Sequence, residues 1–76
     1  ESICYTELAY ERINKKLNVK LSKKQIENYI LDILNGTDIS FFARVGKNYY
    51  IVNAENNIRI TINSNTFRII TVDRVK

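Results

Sequence analysis

The chain has no histidine, no methionine, no tryptophan and no proline, and it spends only one cysteine and two glycines over 76 residues. With Cys4 alone, no disulfide framework can form. Lacking histidine and a second thiol, it has almost nothing to hold zinc or a redox metal, so neither a metal nor a cofactor is expected. The absence of proline and of any Gly/Ser-rich stretch leaves no internal linker, boundary or repeat, and residues 1–76 read as one small domain. No apolar run approaches the length of a membrane span, and no basic start followed by an apolar stretch marks a secretory signal. The expected compartment is the cytoplasm, with no membrane partner. A chain this short stands near the lower limit at which an apolar core holds without staples, so any chemistry belongs on a surface or in a shallow groove. Opening at Glu1 without methionine fits either a processed or trimmed protein or a module cut from something longer.

Charge is distributed unevenly. Residues 1–39 balance six basic side chains against six acidic ones, whereas from Ser40 onward Arg44, Lys47, Arg59, Arg68, Arg74 and Lys76 face only Glu55 and Asp73. The whole net charge of +4 therefore lies in the second half. A neutral half joined to a cationic half suggests a support and a working surface, and the partner such a surface suits is a polyanion. The plain alternative is that the charge only keeps the protein soluble.

The first half reads as two helices, about 3–36. In Leu21-Ser22-Lys23-Lys24-Gln25-Ile26, Ser22 is an N-cap, Gln25 completes a capping box, and Leu21 and Ile26 form a hydrophobic staple. Ile26, Ile30, Ile33 and Leu34 follow at helical spacing and Asn35-Gly36 supplies the stop, which predicts a helix over about Lys23 to Asn35. Ahead of it, Tyr5 to Asn18 sets Leu8, Ala9, Ile13 and Leu17 on one side and Glu7, Glu11 and Lys15 on the other, a second amphipathic helix with Ser2 or Thr6 as the cap. Lys20, Lys23 and Lys24 at the start of the second helix oppose its dipole. Cys4 is expected to be a small buried hydrophobe.

After Gly36 the period changes to two. Phe41 to Val45, Tyr49 to Asn53, Asn57 to Ile62 and Thr66 to Asp73 are rich in β-branched and aromatic residues, and the turns between them are too short for anything but neighbouring antiparallel strands. The expected fold is α+β: two helices on one face of a four-stranded antiparallel meander, with the sheet half over about 40–74. Phe41, Phe42 and Val45 on an edge strand would be able to pair with another chain, and the oligomeric state stays open.

Reading Ser64-Asn65 as a two-residue loop places Ile62 opposite Phe67, Thr61 opposite Arg68, Ile60 opposite Ile69 and Arg59 opposite Ile70. Ile58, Ile60, Ile62, Phe67 and Ile69 then point to the helices, and Arg59, Thr61, Asn63, Thr66 and Arg68 point away. A two-residue loop at Glu55-Asn56 or at Asn56-Asn57 sends Tyr50 to that same open face, while a bulge between Asn53 and Asn57 would send Tyr49 instead.

The segment Asn57 to Val72, preceded by two helices, resembles the end of the compact bacterial ribonuclease toxins that share the fold named after barnase, EndoU, the tRNA-cleaving colicins and RelE (BECR). Arg68-Ile69-Ile70-Thr71 is similar to the Arg-Ile-Ile-Ser run near the end of BrnT-like toxins, and the whole chain also resembles a family of small uncharacterised bacterial proteins. The toxin resemblance implies metal-independent cleavage of RNA, tRNA or mRNA, on the exposed sheet face. It also implies a cognate antitoxin or immunity protein covering that face.

The residues allow the same chemistry to be argued directly. Cleaving RNA without a metal needs a group to accept the 2′-hydroxyl proton, cations to hold the developing charge and a donor for the leaving oxygen. Arg59 and Arg68 suit the second role because a guanidinium pairs two phosphate oxygens and keeps its charge. Thr61, Asn63 and Thr66 would position phosphate or ribose, Tyr50 would stack on a base or move a proton, and Lys47, Arg44 and Arg74 would extend the basic surface toward RNA. No general base is evident, since lysine and tyrosine are protonated near neutrality. Two functions therefore follow from one surface: a small metal-independent endoribonuclease, or a non-catalytic module that holds RNA or a partner protein.

Overall fold

A computed structural model describes residues 3–75. Helix α1 spans Glu7–Leu17 and α2 spans Lys23–Asn35; a short 3-10 turn, Ile39–Phe41, leads into strands β1 (Phe42–Val45), β2 (Asn48–Asn53), β3 (Ile58–Asn63) and β4 (Ile69–Arg74). The strands form one antiparallel meander in the order β1-β2-β3-β4, and both helices cover one face, giving the expected α+β architecture. Among the described residues no helix is long and apolar enough to cross a membrane.

The helix ends follow from local chemistry. Ser22 and Gln25 make the capping box in both directions, which starts α2 at Lys23. Thr6 caps α1 by accepting from the Ala9 amide at 3.1 Å; the other candidate cap, Ser2, lies outside the described residues. α1 ends at Asn18 in a left-handed conformation (φ 57°), a role asparagine fills more readily than most residues. Asn14 then holds the interhelical loop in both directions, donating to the Leu21 carbonyl and accepting from the Leu21 amide, each at 3.0 Å. Lys23 earns its unfavourable place at the start of α2 by pairing with Glu7 and lying 5.4 Å over the Tyr10 ring, so it joins the helices.

The core is built largely of isoleucine. Ala9, Ile13 and Leu17 from α1, and Ile26, Ile30 and Ile33 from α2, close on Ile51, Ile58, Ile60, Ile62, Ile69 and Val72 of the sheet. Burying one such side chain stabilises the fold by about 1.5–3 kcal/mol relative to leaving it exposed. One buried polar group sits at the edge of this layer. Asn53, 6% exposed, donates to the Thr37 hydroxyl at 2.8 Å; Thr37 in turn donates to the Ile33 carbonyl. The Asn53 carbonyl oxygen accepts from the Asn56 amide at 2.9 Å, so one side chain ties the end of α2 to the β2–β3 turn.

The register bears out part of the expected pairing. Tyr50 faces Thr61, as the Glu55-Asn56 alternative requires, so Tyr49 points to the helices and Tyr50 away. The last hairpin differs. Asn63 and Arg68 close the loop, with Phe67 in a left-handed conformation (φ 57°) that bulky residues rarely adopt, and Ile62 pairs with Ile69 in place of Phe67. A bulge at Ile70 then shifts the register, so that Thr61 faces Thr71, Ile60 faces Val72 and Arg59 faces Asp73. Cys4 corrects another expectation: it is exposed and lies beside Arg68 in a parallel bridge, its amide donating to the Phe67 carbonyl at 2.8 Å.

Tyr5 and Tyr10 stack with centroids 5.3 Å apart, and the Tyr10 hydroxyl donates to Glu27 at 2.6 Å. That bond raises the Tyr10 pKa to about 12, and burial raises Tyr5 to about 12. Both stay neutral longer in the fold than in the unfolded chain. Their stabilisation is therefore whole below pH 10 and is lost as the pH climbs toward about 12. Unfolding midpoints in urea should fall across that interval, and Glu27→Gln should move the late part of the tyrosinate absorbance titration to lower pH. An unchanged titration would contradict this account. Asn53→Ala should lower the unfolding free energy by about 1–3 kcal/mol through the partners left unpaired, read as a lower urea midpoint at unchanged slope.

Candidate nucleic-acid interface

Strand alternation builds the open face in three rows across the sheet. Val45, Asn48, Asn63 and Arg68 form the first; Ala43, Tyr50, Thr61 and Thr71 form the second; Val52, Arg59 and Asp73 form the third. Tyr50 thus stands near the middle of the face, half-buried, on one of the two central strands, with Asn48 donating to its hydroxyl at 3.4 Å. Thr61 beside it is 5% exposed and belongs to the floor between Tyr50 and Thr71.

The two arginines do not converge. Arg59 and Arg68 both point to the open face, but the longer loop puts Arg68 opposite Asn63, four residues from Arg59 along β3, or about 13 Å at the usual rise per residue. The expected pairing of Arg68 with Thr61 would have set them diagonally adjacent. Arg59 is also charge-compensated. Asp73 lies opposite it, at 3.6 Å from its guanidinium, and takes Lys16 on its other oxygen at 3.0 Å. Sequence reasoning missed Asp73 because the bulge at Ile70 reverses which residues of β4 face outward.

The remaining candidates divide. Asn63 accepts from the amides of Asn65 and Thr66 at 2.8 and 3.0 Å, so its carbonyl oxygen shapes the β3–β4 loop. Thr66 lies in that loop, exposed, and its hydroxyl accepts from the Arg68 amide at 3.4 Å. Lys47 occupies the two-residue β1–β2 turn behind Gly46, whose positive φ (63°) is the conformation the first position of such a turn can demand of glycine. Its carbonyl accepts from both the amide and the hydroxyl of Ser64, which places Lys47 next to the β3–β4 loop at the Arg68 end of the face. Arg44 and Arg74 do not share the face. Arg44 pairs with Tyr49 on the helix side of the edge strand, and Arg74 donates to the Leu17 carbonyl at 2.6 Å, where it caps α1. The reason is parity: each is an odd number of residues from an outward-facing neighbour on its strand.

Among the described residues no three His, Cys, Asp or Glu side chains gather in a way that could hold a metal ion. The face is instead a shallow polar platform with one aromatic ring at its centre, a bare arginine at one corner and an arginine–carboxylate pair at the other. A double-mutant cycle on Arg59→Ala and Asp73→Ala, followed by urea denaturation, should return a coupling below about 1 kcal/mol that shrinks in high salt, because both groups are solvent-accessible. A coupling of several kcal/mol would make the pair part of the framework.

Residues 1–73, nearly the whole chain, match the family described as Protein of unknown function (DUF3781). Comparison with curated proteins finds no match, and neither does comparison with solved structures.

Proposed function

We propose that this chain, which belongs to the DUF3781 family, is a binding module for single-stranded RNA, with the open sheet face as its platform. The observation that carries the reading is the position of Tyr50, an aromatic ring on a central strand between Ala43 and Thr61, with Asn48, Asn63 and Arg68 in the neighbouring row of a face left uncovered by the helices. A base can stack on such a ring whatever its identity, and each stacked base is worth about 1–3 kcal/mol by alanine substitution. Asn48 and Arg68 offer hydrogen bonds to base edges and phosphate, and the excess of basic over acidic groups in the sheet half draws the polyanion in.

A second reading, metal-independent cleavage of RNA, draws support from the resemblance of Arg68-Ile69-Ile70-Thr71 to the BrnT-like toxins and from one structural observation. Asp73 brings to the face a carboxylate able to accept the 2′-hydroxyl proton, beside a guanidinium able to hold phosphate. Both of its oxygens already face cations, and Arg68 is too far away to share the same phosphate with Arg59. The binding reading therefore fits the geometry better. Under the cleavage reading a cognate antitoxin or immunity protein would cover this same face.

Fluorescence anisotropy with a labelled oligouridylate of roughly 10 nucleotides tests the first reading. Wild type should bind, Tyr50→Ala should weaken binding by roughly 5-fold to 100-fold, and Tyr50→Phe should retain most of it. Absence of wild-type binding sinks the proposal. Incubating the same RNA and total cellular RNA with the protein and mapping new ends decides the second reading: cleavage by wild type that is lost in Asp73→Asn would replace a binding module with an enzyme.

A further inference from the structure

The half of the chain that is neutral by composition is not neutral in space. On α1, residues four apart share a side of the helix, and the side turned toward β4 carries Arg12 and Lys16 with Lys15 beside them. Of the acids of α1, Glu7 pairs with Lys23 of α2, while Glu11 stands one turn before Lys15 on the outer side of the helix, nearly opposite the buried Ile13. Composition averages these charges; the helix turns Arg12 and Lys16 toward β4 and leaves Glu11 on the far side of Lys15.

That cationic side borders a groove. Between α1 and the outer edge of β4 the surface is lined by Arg12, Lys15 and Lys16 over Ile70 and Thr71, and it continues past Ile70 to Arg68 and Thr66 at the corner of the open face. The bulge makes this possible by turning the Ile70 backbone outward, where its carbonyl receives the Arg12 guanidinium at 3.5 Å. Arg12 and Lys16 stand one helical turn apart, about 6 Å, a step comparable to the separation of successive phosphates in an extended strand. At the far end Asp73 holds Lys16 and Arg59 together and marks where the groove meets the third row of the face. No acidic side chain lines the groove itself among the described residues; Asp73 bounds its far end and Glu11 stands one turn before Lys15, so its lining is cationic and suits a polyanionic backbone better than a basic peptide.

We infer that this groove is a second part of the same RNA path, holding the phosphodiester backbone of a strand that leaves the sheet face at Arg68 and crosses the β4 edge between Arg12 and Ile70 toward Lys15 and Lys16. The inference rests on the RNA-binding reading above. It assigns separate work to the two surfaces: the face around Tyr50 takes bases, and the groove takes phosphates without regard to sequence.

The experiment compares two charge-matched triple variants in the oligouridylate assay over a range of salt. Arg12→Ala/Lys15→Ala/Lys16→Ala empties the groove; Lys20→Ala/Lys23→Ala/Lys24→Ala removes the same formal charge from the first turn of α2 and the loop before it. Alanine is the strongest helix former, and circular dichroism confirms that both variants are folded. The groove variant should bind about tenfold or more weakly, and its plot of log affinity against log salt should be shallower by ~2, at about 0.7 per lost phosphate contact. The control variant should lose little. Equal losses in both variants would reduce the effect to overall charge and overturn the groove. Wild-type affinity and slope in the groove variant, with binding still sensitive to Tyr50→Ala, would overturn the groove alone and leave the sheet-face reading standing. Failure of wild type to bind the RNA would remove both.

Discussion

One face of the sheet is covered and the other is not, and most of the molecule follows from that constraint. Helices of 11 and 13 residues are enough to roof a four-stranded sheet once. Each strand must then present apolar side chains to the helices and water-tolerant ones to solvent. β3 does this most cleanly: Ile58, Ile60 and Ile62 go into the core, while Arg59, Thr61 and Asn63 go out. Because the inward set is so uniformly β-branched, a slip of one residue would bury a guanidinium and expose three isoleucines, so the hydrophobic layer itself holds the register.

The packing of α1 against β4 is the second determinant. Three side chains stitch the helix to that strand along its length: Arg12 to the Ile70 carbonyl, Lys16 to Asp73, and Arg74 to the carbonyl of Leu17 at the helix end. Only the last has the short distance and terminal position of a true cap; in the first two the cation is accessible and can turn from a carbonyl or a carboxylate to another anion. The same edge carries the bulge and, at its start, the parallel bridge from Cys4. Backbone irregularity and several cationic side chains therefore coincide along β4, while the opposite edge, β1, carries the single cation Arg44 among Phe42, Ala43 and Val45.

Under the proposed reading the two surfaces would complement each other physically. Stacking on a ring is short-ranged and tolerant of base identity; attraction between lysine or arginine and phosphate is longer-ranged and weakens with salt. A platform with a single aromatic residue would hold a strand weakly by itself. A cationic channel alone would hold one without orientation. Joined at Arg68, they would hold a strand and orient it.

The limits of the second helix, the strand order and the sorting of side chains in β3 could be read from the chain, because caps, periodicity and short turns act over a few residues. Arg59 and Arg68 were placed on the open face for the same reason, whereas the start of the first helix and the choice between Tyr49 and Tyr50 stayed open. The distance between the two arginines was not legible. Phe67 carries no sign that it adopts a left-handed conformation, and nothing in Arg-Ile-Ile-Thr announces a bulge, yet together they move Arg68 away from Arg59 and bring Asp73 beside it. Nor could a count of charges show that Glu7 turns to Lys23 of α2 while Arg12 and Lys16 turn to β4. The sequence by itself determined which elements form and which side of each is wet, since those depend on local spacing. Only the tertiary structure decided which wet residues become neighbours, since that depends on how a loop, a bulge and a helix settle against an edge strand more than fifty residues away along the chain.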